Sequence, residues 1–225
     1  MHRHFDEMVR ELNDRLLVMS GRAEGIIRKA VEALLRRDGA LADEVFADNR
    51  LIDDMELEIE ERCIELLATQ QPLARDLRLI TSAIKISNDL ERVGDHAVNI
   101  AGSAKTLLEL PPAKLDGTLP QLADKAVAML RASLDAFVLR DAEAARALVR
   151  LDDEVDALNR EHFAAQLAHM VAKPSDVQAC MALVLVGRNL ERIGDLATNV
   201  AEEVVFIAQA RVIKHHAEER AALEG

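Results

Sequence analysis

The chain has no tryptophan, no tyrosine and only five phenylalanines in 225 residues. Half of it is nevertheless apolar, so the core must be built from Leu, Ile, Val, Ala and Met, most of them good helix formers. Cysteine is almost as scarce. Cys63 and Cys180 stand alone, outside any Cys-x-x-Cys spacing, and read as two buried helix-face thiols in a reducing compartment. Five prolines and nine glycines are few for this length, and they gather at a handful of places. No basic surplus exists either. A formal charge of −12 argues against a nucleic-acid binder and against docking on anionic lipid. The longest apolar run, Ala179 to Gly187, falls far short of a membrane span. The opening MHRHFDEMVRELNDRL is charged and amphipathic, unlike a secretory signal. These absences together predict a soluble, cytoplasmic, all-helical protein of few long helices.

The punctuation that is present divides the chain into six segments. Asp38-Gly39 interrupts a helical pattern that begins near His4, and the Asp38 carboxylate can cap the next helix. That second helix runs to Gln70-Gln71, where Pro72 cannot continue it but can open a third, reaching about Glu109. LPPAKLDGTLP, residues 110–120, holds three of the five prolines and reads as a linker. The layout then recurs. One helix spans about Pro120 to Arg140, Asp141 caps another running to Lys173, and Pro174 opens a last one reaching about Arg220. Arg37-Asp38 matches Arg140-Asp141, and Ile52-Asp53 matches Val155-Asp156. Pro72 likewise matches Pro174. The sequence is therefore an internal duplication: two tandem antiparallel three-helix bundles, residues 1–110 and 120–220, joined by residues 111–119. Leu79, Ala83, Ile86, Leu90, Val93, Ala97 and Ile100 recur at three- and four-residue steps and form the core stripe of the third helix. Leu183, Val186, Leu190, Ile193, Ala197 and Val200 do the same in the sixth.

The duplication is sharpest at NDLERVGDHAVNIA, residues 88–101, and RNLERIGDLATNVA, residues 188–201. Glu91, Asp95 and Asn99 fall at i, i+4 and i+8 and are expected to share one face, roughly opposite the apolar stripe. Glu191, Asp195 and Asn199 repeat the row. Like charges at i, i+4 destabilise a helix by about 0.2–0.5 kcal/mol unless a cation lies between them. Gly94 and Gly194 sit in mid-helix, where each costs about 1 kcal/mol relative to Ala. That cost makes sense where another helix backbone comes close. Carboxylate and amide oxygens form a hard-donor set suited to Mg, Mn, Fe or Ca. One helix face cannot complete a coordination shell, so the second helix of each half must contribute. Asn49, Asp53 and Glu56 align there with Asp152, Asp156 and Asn159. Arg92 and Arg192 fit a local salt bridge or a tether to the neighbouring helix.

Other candidates weigh less. His96 has Leu196 as its counterpart, which speaks against a required ligand. His162 and His169 lie on the fifth helix's apolar stripe and read as interior or interface histidines. His2, His4, His215 and His216 belong to the terminal segments. No phosphate-cradling Gly-x-x-x-x-Gly-Lys-[Ser/Thr], no nucleophile elbow and no Glu-x-x-His occurs. The last absence counts against a ferritin-like di-iron enzyme. No catalytic machinery is evident, so the chain is expected not to be an enzyme.

Tandem three-helix halves that close on LERVGDHAVNIA and LERIGDLATNVA, with QPLARDLRLI at residues 71–80, resemble the PhoU family of phosphate-specific transport accessory proteins over about residues 4–218. The resemblance implies a cytoplasmic regulator of phosphate uptake that forms a homodimer. Such a regulator acts with the nucleotide-binding subunit of a phosphate ABC transporter and with a phosphate sensor histidine kinase. It damps starvation signalling when phosphate is plentiful and meets the membrane only through these partners. Some members hold iron or zinc clusters through Glu/Asp-x-x-x-Asp pairs, which here are Glu91 with Asp95 and Glu191 with Asp195; Asn99 and Asn199 follow one turn on. The alternative is a metal-binding or metal-storage protein whose carboxylate faces are themselves the function.

Overall fold

The structure, a computed structural model, describes residues 2–112 and 117–213. Within them are six long helices and no strand. These are α1 (His2–Arg36), α2 (Gly39–Gln70), α3 (Ala74–Leu108), α4 (Thr118–Leu139), α5 (Ala142–Ala172) and α6 (Val177–Gln209). A single 3₁₀ turn, Pro174–Asp176, precedes α6. Part of the expected linker, 113–116, lies outside the described residues, as do His215 and His216. The expected sixth helix to Arg220 is corrected: α6 ends at Gln209, where Ala210 turns left-handed at φ 57 and its N–H caps Phe206 O.

The breaks between helices follow local chemistry. α1 and α4 both end on an arginine in the left-handed region, Arg37 at φ 54 and Arg140 at φ 53. The next residue's N–H reaches back five positions, Asp38 to Ala33 O at 2.9 Å and Asp141 to Ala136 O at 3.0 Å, which satisfies carbonyls that the helix end leaves open. The same aspartates then cap the following helix. Asp38 accepts from Ala40 N and Leu41 N, and Asp141 from Glu143 N and Ala144 N. Asp38→Ala and Asp141→Ala are each expected to cost about 1 kcal/mol in urea unfolding; unchanged stability in both would show the turns to be held by the backbone reach-back bonds alone.

Each half is an antiparallel three-helix bundle, and the two share one core. Buried residues of all six helices form a single cluster, from Leu12 through Ile52 and Leu90 to Leu130 and Val200. The halves meet chiefly along α3 and α6. Ser82 and Lys85 bond Glu203 at 2.8 and 3.1 Å, Asn199 donates to Asp89 at 3.5 Å, and His96 Nδ1 meets Asn189 Oδ1 at 2.9 Å. One numbering rises as the other falls, so α3 and α6 run antiparallel. Because α3 also packs on α1 and α2, its buried arc is wide. Both cysteines are buried and free, and burial pushes the Cys63 thiol up to about 12. No described helix is long and apolar enough to cross a membrane.

Candidate functional site

Glycine determines how closely α2 and α3 approach. A Cβ on Gly94 would overlap Asn49 Oδ1 and meet Ile52 Cδ1 at 3.4 Å. The missing side chain thus lets Asn49, 8% exposed, lie against the α3 backbone. From there its Nδ2 donates to Asp53 Oδ1 and Asp95 Oδ1, both at 3.3 Å. Asn49 therefore ties a carboxylate of its own helix to one across the groove. Its Oδ1 is buried and has no hydrogen-bond partner.

The acids gathered around it repel one another. Burial raises the Glu91 carboxyl above the usual glutamate range, and Asp95, Asp53 and Glu56 add to the rise. Asp53 is raised by burial and by Asp95, and Glu56 by burial, Glu60 and Asp53. These mutual effects place Glu91 and Asp95 beside Asp53 and Glu56 in one acidic pocket between α2 and α3.

The second half repeats the pocket with changes. Val155 and Asp152 of α5 face Gly194 of α6. Asp152 stands where the first half has Asn49, and its Oδ1 is likewise buried without a partner. Burial, Asp195, Asp156 and Asp153 push its carboxyl up to about 6. Thr198 Oγ1 opposes the rise but makes no well-formed bond. Glu191 is raised by burial and Asp195, opposed by Arg192. Arg192 grips Asp195 at 2.7 Å, whereas Arg92 turns to Asp89 at 3.7 Å. Both arginines are thus in local salt bridges, and only the second pocket has one bound to the motif's own aspartate.

Three expectations need correction. Glu91 is half-buried at the rim of the buried arc rather than opposite it, beside Gly94 where α2 closes on α3, while Asp95 is exposed. Asn99 and Asn199 have other neighbours than the acids of the row. Asn199 donates to Asp89 across the α3–α6 seam, and Asn99 lines a groove of about 440 Å³ with Phe46, Met181 and Leu185. The reason is angular: eight residues at about 100° each leave i+8 some 80° away from i. Asn159, aligned with Glu56, lies beside Gly187, where a Cβ would come within 3.0 Å of its Oδ1. Gly187 was legible as another mid-helix glycine, but Ser87 stands in its place in the first copy and hides it from a repeat comparison.

His162 is an interior histidine, bonded to Leu183 O at 3.0 Å and Thr118 Oγ1 at 3.3 Å, and His169 pairs with Asp176. Among the described residues no group of three or more His, Cys, Asp or Glu side chains is placed so that it could hold a metal ion. What the arrangement offers is two acidic clefts, each with an unpartnered buried oxygen at its floor.

Fold and site together define a class: a duplicated three-helix protein with one acidic cleft per repeat. The family described as PhoU domain matches the chain twice, over residues 16–104 and 119–204, and the chain belongs to that family. A phosphate-specific transport system accessory protein PhoU homolog of Rhizobium meliloti is 38% identical over 208 residues, 91% of this chain and 86% of the relative. A protein of the same description from Clostridium acetobutylicum is 37% identical over 210 residues, 93% and 96% of the two chains. The crystal structure of PhoU from Pseudomonas aeruginosa superposes with a TM-score of 0.89 at 33% identity, covering 92% of this chain and 100% of that one. The phosphate transport system regulatory protein PhoU from Streptococcus pneumoniae gives 0.87 at 26% identity, covering 93% and 99%.

Proposed function

We propose that the chain is a cytoplasmic regulator of phosphate uptake. It works as a helical adaptor between the nucleotide-binding subunit of a phosphate ABC transporter and a phosphate sensor histidine kinase, and holds starvation signalling down when phosphate is plentiful. The observation that carries this reading is the match of both repeats to phosphate-specific transport accessory proteins over nearly their whole length. The acidic clefts suit an adaptor better than a phosphate receptor, since uncompensated carboxylates repel the anion.

The clefts also carry the oxygen donors of a hard-cation site, although their side chains as they stand do not converge on one metal position. Asn49 Oδ1 and Asp152 Oδ1 are buried oxygens without partners at equivalent places, and carboxylates that raise one another's pKa gain most from a positive charge between them. Asn49, Asp53, Glu91 and Asp95 would hold it in the first repeat, and Asp152, Asp156, Glu191 and Asp195 in the second. An iron-type or divalent ion bound there would supply charge neutralisation to these carboxylates. The orphaned oxygens equally favour the second reading, metal storage.

Deletion in the host, read with a phosphate-regulated reporter under phosphate excess, is expected to relieve repression; unchanged repression rejects the regulator. Elemental analysis of untagged protein separates the two readings. Metal lost in Glu91→Ala/Asp95→Ala and Glu191→Ala/Asp195→Ala while repression stays intact would make storage the function.

A further inference from the structure

Helix α2 is far more acidic than its counterpart. Ten Asp and Glu against two Arg leave it at −8, whereas six acids and three arginines leave α5 at −3. Most of the chain's −12 is thus concentrated on one helix, and two sets of its acids are distinct. Asp53 and Glu56 belong to the cleft. Asp54, Glu61 and Glu65, at i, i+7 and i+11, form a separate row on the outer side, and all three are exposed.

Two large aliphatic side chains flank that row, Leu57 at 61% and Ile64 at 56% exposure. Neighbouring Glu58 is held by Arg15 of α1. Among the described residues Asp54, Glu61 and Glu65 have no basic side chain at ion-pair distance. The face therefore combines exposed apolar surface with charge that no described residue neutralises by an ion pair.

The sister repeat shows that the fold does not need this composition. Counting from Asp53 against Asp156, the three acids correspond to Ala157, Ala164 and Ala168, Leu57 to Arg160 and Ile64 to Leu167. Those alanines are exposed too. The same helix face is thus built with alanines beside one exposed leucine, Leu167, in one half and with like-charged acids beside exposed Leu57 and Ile64 in the other. Self-repulsion and exposed aliphatic groups both cost free energy in the isolated protein, and a cationic, amphipathic occupant relieves both.

We propose that the outer face of α2 docks a basic amphipathic helix of a partner protein, with that helix's apolar side on Leu57 and Ile64 and its Lys or Arg on Asp54, Glu61 and Glu65. The row from residue 54 to 65 is about 17 Å long at 1.5 Å per residue, so the occupant needs three to four turns. Nucleic acid and anionic lipid are repelled by the same charge, and so is the α2 face of a second copy. The inference rests on the adaptor reading and deepens it by naming the chemistry of the partner.

The probe is a synthetic helix-forming peptide with Leu at i, i+3, i+4 and i+7 and Lys elsewhere, beside a control in which Gln replaces Lys. Binding is followed by fluorescence anisotropy at increasing salt. The intact chain is expected to bind the Lys peptide, less tightly as salt rises, and the Gln peptide far more weakly. Asp54→Ala/Glu61→Ala/Glu65→Ala, which writes the alanines of α5 onto α2, is expected to weaken binding about tenfold or more. Leu57→Ser/Ile64→Ser should do the same although every charge remains, while Leu167→Ser on α5 should not. Binding that survives the triple alanine variant, or that is indifferent to Leu57→Ser/Ile64→Ser with helicity intact by circular dichroism, overturns the docking face. If the peptide docks on α2 but deletion leaves repression unchanged, the surface stands and the adaptor reading falls. If deletion relieves repression but the peptide does not dock, the surface alone is rejected.

Discussion

Gly94→Ala is expected to destabilise the fold by about 2–3 kcal/mol, although Gly→Ala inside an ordinary helix stabilises by about 0.5–1 kcal/mol. The new Cβ would overlap Asn49 Oδ1 and press on Ile52. Asn49 cannot swing aside cheaply, because its amide is bonded to both Asp53 and Asp95 and Ile52 is fully buried. Either α2 moves away from α3, opening the core, or Asn49 gives up two hydrogen bonds. Gly187→Ala should behave similarly, since a Cβ there comes within 2.7 Å of His162, itself pinned by Leu183 and Thr118. Gly21 and Gly25 have nothing within 4 Å, so alanine there should stabilise. Urea unfolding of the four variants tests the contrast. Asn49→Ala/Gly94→Ala should recover much of the loss, because it removes the overlap itself. A Gly94→Ala protein as stable as the parent would mean that the close approach of α2 and α3 is not what the glycine serves.

That glycine also shows which parts of the structure were legible in the sequence. Mid-helix Gly94 and Gly194 are costly in any helix, so a close neighbour could be inferred before its identity was known. The caps at Asp38 and Asp141 were legible for a similar reason: an aspartate beside a break in periodicity acts on N–H groups two and three residues away. The positions of Asn99 and Asn199 were not, because small angular steps accumulate along a helix and the outcome depends on which helices flank it. His96 shows the same dependence. Its bond to Asn189 exists only because the two halves pack α3 on α6, and nothing local in HAVNIA announces it. The end of α6 was missed because neither glycine nor proline marks it. Ala210 adopts the left-handed turn instead, against its own preference.

The second large effect is expected from Asp152→Asn, and it depends on pH. Asp152 is raised from 3.8 to about 6 by burial and by Asp195, Asp156 and Asp153. Between those values the folded chain keeps a proton that the unfolded chain has lost, so the group's contribution to stability falls as pH rises from about 4 to about 6 and is level above that. Asp152 is only half buried, and after allowance for solvent screening its ionisation costs about 1–2 kcal/mol at neutral pH. Asparagine removes that cost, and the first repeat shows that it fits, since Asn49 occupies the equivalent place and uses its amide to bridge two carboxylates. In unfolding experiments with chelator present, Asp152→Asn should therefore be more stable than the parent by about 1–2 kcal/mol near pH 7.5 and by almost nothing near pH 4. Added manganese or magnesium should narrow the gap at neutral pH, because a cation stabilises the ionised aspartate more than the amide. A parent and variant whose stabilities stay parallel from pH 4 to pH 7.5 would show that Asp152 is ionised at an ordinary pKa. Its unpartnered oxygen would then have to be solvated in the folded protein, and the second cleft would lose its claim to be poised for a cation.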